Sequence, residues 1–167
     1  MKKLLNPFIG AIDYNCFGCA PDNKAGLKME FYEDGKDIVS VWTPDDHFQG
    51  YNYILHGGIR ASLIDELAAW VVFIKLKTSG YTVSLNVNFK QPAYTDKGEI
   101  TLRGRIKEMK SNIAVIEVEL YDHQKKLVTT GIAEYFTIPE KIAKGRMMYP
   151  GIEAFYGKDP ETAEAKG

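Results

Sequence analysis

The residues Leu67-Ala68-Ala69-Trp70-Val71-Val72-Phe73-Ile74 are apolar on every side of a helix, and they sit within a proline-free segment, about Ile59 to Lys77, that favours helix throughout. A surface helix shows a single apolar stripe, so this one has to be enclosed. Thr78-Ser79-Gly80 supplies the stop signal. The enclosure is available immediately downstream. Residues 81–90 alternate with period 2, with Val83, Leu85, Val87 and Phe89 on one face, as a half-buried strand does. Further strands are expected at about 99–109, 113–122 and 126–138, with interleaved apolar positions such as Ile116, Val118 and Leu120. The links between them are a few residues long, too short for parallel crossovers, so the spacing predicts an antiparallel meander.

Ahead of the helix, Gly26 to Phe31 and Asp37 to Trp42 read as two strands of a hairpin joined through Glu33-Asp34-Gly35. Thr43 to Leu55 lacks either periodicity and reads as a loop. The order of hairpin, long helix and meander predicts an α+β fold in which a curved antiparallel sheet wraps one central helix. A chain of 167 residues suits one core. The expected domain covers 1–138, including an N-terminal extension over 1–25. A C-terminal tail over 139–167 follows, ending in the polar stretch KDPETAEAKG, which is expected to be mobile.

Charge narrows the function. Lys and Arg number 21 against 22 Asp and Glu, a formal charge of -1, without the positive field that nucleic-acid binding uses. The start, MKKLL, has the positive end of a signal peptide, but Asn6, Pro7 and Asp13 break the apolar run, so the expected location is cytoplasmic. No apolar run approaches the ~20 residues of a membrane span. Cys16 and Cys19 are too few for a disulfide framework and make half the ligand set of a structural zinc site, so they are expected to be structural or inert, with no metal.

The chemically informative feature is Asp65-Glu66, in mid-helix. At i±4 Asp65 has Ala61 and Ala69, and Glu66 has Ser62 and Trp70, so no helical ion pair accounts for either acid. Both could face solvent or a subunit interface on a strip the sheet leaves uncovered. Consecutive helix residues point ~100° apart, so one at most enters a given cleft. His56-Gly57-Gly58 stands just before the helix, where free N–H groups and the helix dipole favour an anion or oxyanion. The glycines could equally serve a sharp turn. Phosphate-binding loops, dinucleotide fingerprints and serine nucleophile elbows are not found in the sequence.

HGGIRASLIDE, residues 56–66, resembles the helix-start motif of hotdog-fold thioesterases, particularly the PaaI-like branch of the 4-hydroxybenzoyl-CoA thioesterase superfamily. Asp65 falls at that motif's acid, nine residues after His56. CFGC…DNKAGLKMEF and SLNVNFKQPA extend the resemblance over about residues 14–138. It implies hydrolysis of acyl-CoA without cofactor, with Asp65 as nucleophile or general base. The Gly57 N–H would polarise the thioester carbonyl beside His56 and Gly58, and Thr82 would help place the water. Gln49 or Asn52 would supply a second donor, though neither aligns cleanly; with Asp65 in the cleft, the helix step leaves Glu66 to the helix surface, to dimer contacts or to positioning groups around the site. The same resemblance implies a homodimer or dimer of dimers. Lys90, Arg103 and Arg105 are candidates for the CoA phosphates. Phe48, Tyr51 and Tyr53 could line an acyl pocket, while Trp70 and Phe73 suit the core. A non-catalytic acyl-CoA binding module on the same fold is the main alternative.

Overall fold

The computed structural model describes residues 1–157. The stretch KDPETAEAKG, expected to be mobile, lies outside the described residues. One helix, α1 (Gly57–Val71), crosses a seven-stranded antiparallel sheet. The sheet consists of β1 (Lys2–Lys3), β2 (Tyr32–Asp34), β3 (Asp37–Trp42), β6 (Gly80–Phe89), β7 (Ile100–Lys110), β8 (Ile113–Tyr121) and β9 (Leu127–Thr137), ordered β1-β2-β3-β7-β8-β9-β6. Two short strands, β4 (Gln49–Tyr51) and β5 (Ile54–Leu55), form a separate hairpin before α1. This is the expected α+β hotdog fold, a long antiparallel sheet around a central helix.

The helix can lie close because two interior strand positions lack side chains. A Cβ at Gly131 on β9 would stand 2.5 Å from Ile64, and one at Gly104 on β7 would stand 3.1 Å from Leu67. Leu63, Ile64, Leu67, Ala68, Trp70 and Val71 are all buried, each large apolar side chain contributing about 1.5–3 kcal/mol relative to exposure. The side of α1 away from the sheet is closed by both ends of the chain. Phe31 stacks on Trp70 at 4.0 Å, Phe8 packs on Phe73 at 5.7 Å, and Phe155 meets Trp70 edge-on at 5.6 Å. Trp70 thus serves the core. The segment after Pro139, expected as a tail, forms α2 (Glu140–Arg146) and a short turn, and buries Tyr149 and Phe155 in the same core. Aromatic residues in a mixed-composition stretch carried this packing without any periodicity to announce it.

Several boundaries differ from expectation for local reasons. Residues 27–31 alternate in burial as a strand does, but Lys28 has φ 53, and the hairpin strand begins only at Tyr32. The loop expected over Thr43–Leu55 holds a 3-10 turn (Asp46–Phe48) as well as β4 and β5. Beyond Val71 the helix widens into a π-helical turn, Val72–Leu76, and stops at Lys77, whose φ of 54 is left-handed. The last four strands are not one meander: β7, β8 and β9 are, but β6 pairs with β9 at the far edge. The link between β6 and β7 carries the chain across the sheet end, tied down by Leu55 N–H to Ala93 O at 2.9 Å and Thr95 N–H to Tyr53 O at 2.8 Å.

A β-bulge interrupts β6. Thr82 opposes Tyr135 and Ser84 opposes Glu134, so Val83 is the extra residue. Val83 was expected to share the inner face with Leu85, Val87 and Phe89. Instead the bulge reverses the alternation and gives the inner position to Thr82.

Candidate active site

Asp65 and Thr82 meet. The Thr82 hydroxyl donates to Asp65 Oδ1 at 2.6 Å, across the gap between α1 and β6, and both residues are half-buried. Tyr135, opposite Thr82 on β9, is buried beside them; burial first, and then the Asp65 charge, holds its phenol well above the usual tyrosine range. The phenol therefore keeps its proton at neutral pH and remains a donor. Sequence reasoning missed Tyr135, since its only signal was its place in the β9 alternation.

At the other end of the helix, His56 is the N-cap, and its Nδ1 accepts the Gly58 N–H at 2.9 Å. The Gly58 donor is thus already used, and the Gly57 N–H has no acceptor among the described residues. A Cβ at Gly57 would lie 3.4 Å from the Phe89 ring, so this end of α1 faces the far end of β6. Arg60, also missed, is buried just inside. It donates to Thr129 Oγ1, Gln91 O and Val128 O and stacks over Phe89 at 4.8 Å. Burial lowers its pKa to about 10, which still leaves it charged at neutral pH. Its signal was a cation in the buried i, i+4, i+7 row with Ile64 and Leu67.

Glu66 points elsewhere. Its carboxylate accepts from Trp70 Nε1 at 3.2 Å and lies 3.6 Å from Cys16 Sγ through either oxygen. Burial, and then the charge at Cys16, raises its pKa to about 7. The Cys19 thiol and the backbone N–H groups of Cys19 and Gly18 lower Cys16 to about 5, the Cys19 hydrogen bond being the largest effect; Cys19 is pushed up correspondingly.

The remaining candidates are dispersed. Gln49 is exposed on β4, its Oε1 accepting the Tyr53 N–H at 2.9 Å, and Asn52 is exposed in the turn between β4 and β5. Lys90 is exposed just past β6. Arg103 and Arg105 lie on the sheet face opposite α1, and each is held by acids: Asp34 and Asp37 at 2.6 and 2.7 Å, and Glu117 at 2.6 Å, respectively. Alternation along β7 puts Leu102 and Gly104 toward the helix, so the two arginines drop out as phosphate contacts at this site. No helix among the described residues is long and apolar enough to cross a membrane.

The thioesterase superfamily model matches residues 52–129, which contain Gly57, Asp65 and Thr82. A Saccharolobus solfataricus protein bearing an esterase name is 31% identical over 119 residues, 70% of this chain and 81% of that protein. The chain belongs to the thioesterase superfamily. Its fold is shared with the PaaI protein of E. coli, from the phenylacetic acid degradation operon, at a TM-score of 0.60 and 18% identity over 68% of this chain and 82% of that one. A thioesterase protein from Streptococcus pneumoniae, crystallised with coenzyme A, matches at a TM-score of 0.62 and 18% identity over 67% of this chain and 90% of the other. Membership of the thioesterase superfamily supports hydrolysis of a thioester or ester.

Proposed function

We propose that this chain hydrolyses acyl-CoA thioesters to a free acid and CoA, in the cytoplasm, with Asp65 as nucleophile or general base. The observation that carries the reading is the Asp65–Thr82 contact on the central helix of a thioesterase-superfamily chain. Attack on a thioester builds negative charge on the carbonyl oxygen. A backbone donor aimed there contributes about 2.7–4 kcal/mol, and the Gly57 N–H at the positive end of α1 is the available one. His56 holds this turn through Gly58 and is a positioning residue. Thr82 orients the carboxylate, and Tyr135 keeps a proton donor behind it. Gln49, Asn52 and Gly58 are left with the substrate rim, and Lys90 with the CoA phosphates.

Two copies make the site. Gly57 and Asp65 are eight residues apart on one helix, ~12 Å at 1.5 Å per residue, too far to serve one carbonyl. Helices related by a two-fold axis and running antiparallel bring Asp65 of one subunit toward Gly57 of the other. β6 supports that assembly: it is the sheet's edge and exposes Leu85 and Phe89 on one face, with Tyr81 on the other and Val83 at the bulge between, all left open in an isolated chain.

The test is a panel of acyl-CoA substrates, from acetyl through long-chain to aromatic, monitored by release of the CoA thiol. Turnover of at least one member is expected. Tight binding of CoA esters with no thiol released from any of them would sink the reading in favour of a non-catalytic acyl-CoA module.

A further inference from the structure

The two cysteines, expected to be structural or inert, meet the second helix acid. Cys16 Sγ, Cys19 Sγ and a Glu66 carboxylate oxygen lie within 4.8 Å of one another, with the sulfurs 3.4 Å apart. The residues come from segments 50 positions apart in the chain. Three donors at this spacing leave a point roughly 2.0–2.4 Å from each, the length of Zn–O and Zn–S bonds. We propose that Cys16, Cys19 and Glu66 bind a zinc ion that fastens the N-terminal loop to the central helix.

Three features of the surroundings support a cation. Glu66 is presented to Cys16 Sγ through both oxygens, and no Lys, Arg or His among the described residues pairs with it or lines the adjoining cavity. A carboxylate beside two thiols, with one indole donor, lacks the positive partner that such a group requires once it sheds its protons. Gly18 is required by the same approach, since a Cβ there would stand 2.2 Å from the Glu66 carboxyl. The loop that carries the sulfurs is tied by its own backbone, the Ala20 N–H donating to Cys16 O at 3.1 Å and the Met29 N–H to Gly18 O at 2.9 Å. A disulfide between the cysteines would account for neither Glu66 nor Gly18.

The outer shell is also ordered. Tyr14 OH lies 3.0 Å from Cys19 Sγ, and Asn6 Nδ2 donates to Tyr14 OH at 2.8 Å and to Cys19 O at 3.0 Å. All three ligands line a cavity of about 280 Å³ bounded by Phe8, Tyr14 and Phe73, leaving room for a fourth ligand such as water. Two thiolates and a carboxylate suit zinc over the hard cations magnesium and calcium. Binding takes all three ligands in their deprotonated forms and so releases whatever protons the cluster still holds.

The test uses the full chain, purified under reducing conditions without a histidine tag. Elemental analysis should find about one zinc per chain. Cobalt exchanged into the protein should give thiolate-to-cobalt charge-transfer absorption in the near ultraviolet. Cys16→Ser and Cys19→Ser should bring zinc to background, and Glu66→Gln, which keeps the shape, should weaken zinc binding at least about tenfold against a chromophoric chelator. Reduced wild-type protein that takes up no zinc overturns the site, as does zinc binding that survives the cysteine substitutions. Unchanged affinity in a folded Glu66→Gln protein removes the third ligand and with it the proposed link to the helix. Asp65→Ala should bind zinc as the wild type does, so a failure of the hydrolytic reading leaves this result unaffected.

Discussion

Asp65 and Glu66 are neighbours in sequence, yet the structure gives them opposite surroundings. Asp65 turns toward β6, where a threonine hydroxyl meets it and the sheet edge leaves a way in. Glu66 turns toward the N-terminal loop, where an indole, two thiols and a glycine close around it. The ~100° step of the helix is enough to give one half-buried acidic pair two different sets of neighbours. The lesson is that an acid's role is set by what packs against its side of the helix, and a pair of adjacent acids cannot be read as one site.

The sharpest way to break this comparison is to remove each acid separately. Asp65→Ala should lower kcat for thiol release by on the order of 10²–10⁴, while Glu66→Gln loses far less. A dead Glu66→Gln enzyme beside an active Asp65→Ala one would exchange the two roles. Next in size is Thr82→Val, which keeps a β-branched strand residue but deletes the hydroxyl. We expect kcat to fall about tenfold, the worth of one hydrogen bond of ~1.4 kcal/mol, with the thermal midpoint little moved. Equal rates for Thr82→Val and wild type would leave the Asp65 carboxylate oriented by something else.

Mixing two inactive proteins tests whether the Asp65 face belongs to two subunits. Asp65→Ala and Gly57→Pro, the latter removing the N–H at a helix position that accepts proline, should recover up to roughly a quarter of wild-type activity after subunit exchange. If exchange is demonstrated and the mixture stays dead, both groups serve one chain's site. The smallest effect is expected at Lys90, beside the Gly57 end of β6. Lys90→Ala should raise KM about two- to fivefold and reduce its salt dependence, as an exposed charge does. A KM indifferent to the substitution takes the CoA phosphates away from that corner.

Much of the fold was legible because burial on all sides and strict alternation are strong signals. The run Leu67–Ile74 demanded enclosure, and strands β7 to β9 fell within a residue or two of expectation. Asp65 and Gly57 stood out as candidates through the unpaired helix acid and the Gly-Gly helix start, and the resemblance gave them roles, whereas Thr82 was singled out only through the resemblance. Period-2 reading put Thr82 on the wrong face, because a bulge depends on register with the partner strand and leaves no mark in composition. The pairing of β6 with β9 was hidden for the same reason: strand order is a matter of long-range contacts. Arg60 showed only as a cation in the buried row of α1, and its partners, like the Cys16–Glu66 contact, were illegible because each contact joins segments far apart in the chain. The burial of Tyr149 and Phe155 was missed where aromatic residues fell in a stretch without periodicity.

The extra residue at Val83 bears on how this protein can vary through evolution. Counting back from Phe89 in twos reaches Val83, so a regular strand would turn Thr82 outward; the extra residue is what reverses the parity between the apolar half of β6 and the half that meets Asp65. A single-codon deletion of Val83 would close the bulge and leave Thr82 two positions before Leu85, still opposite Tyr135 and still facing the carboxylate, whereas an added residue between Thr82 and Leu85 would put the parity at risk again. In this strand the length can shrink by one where the identity of Thr82 cannot change: among descendants of this chain, loss of the residue at Val83 should be found sooner than an insertion beside it.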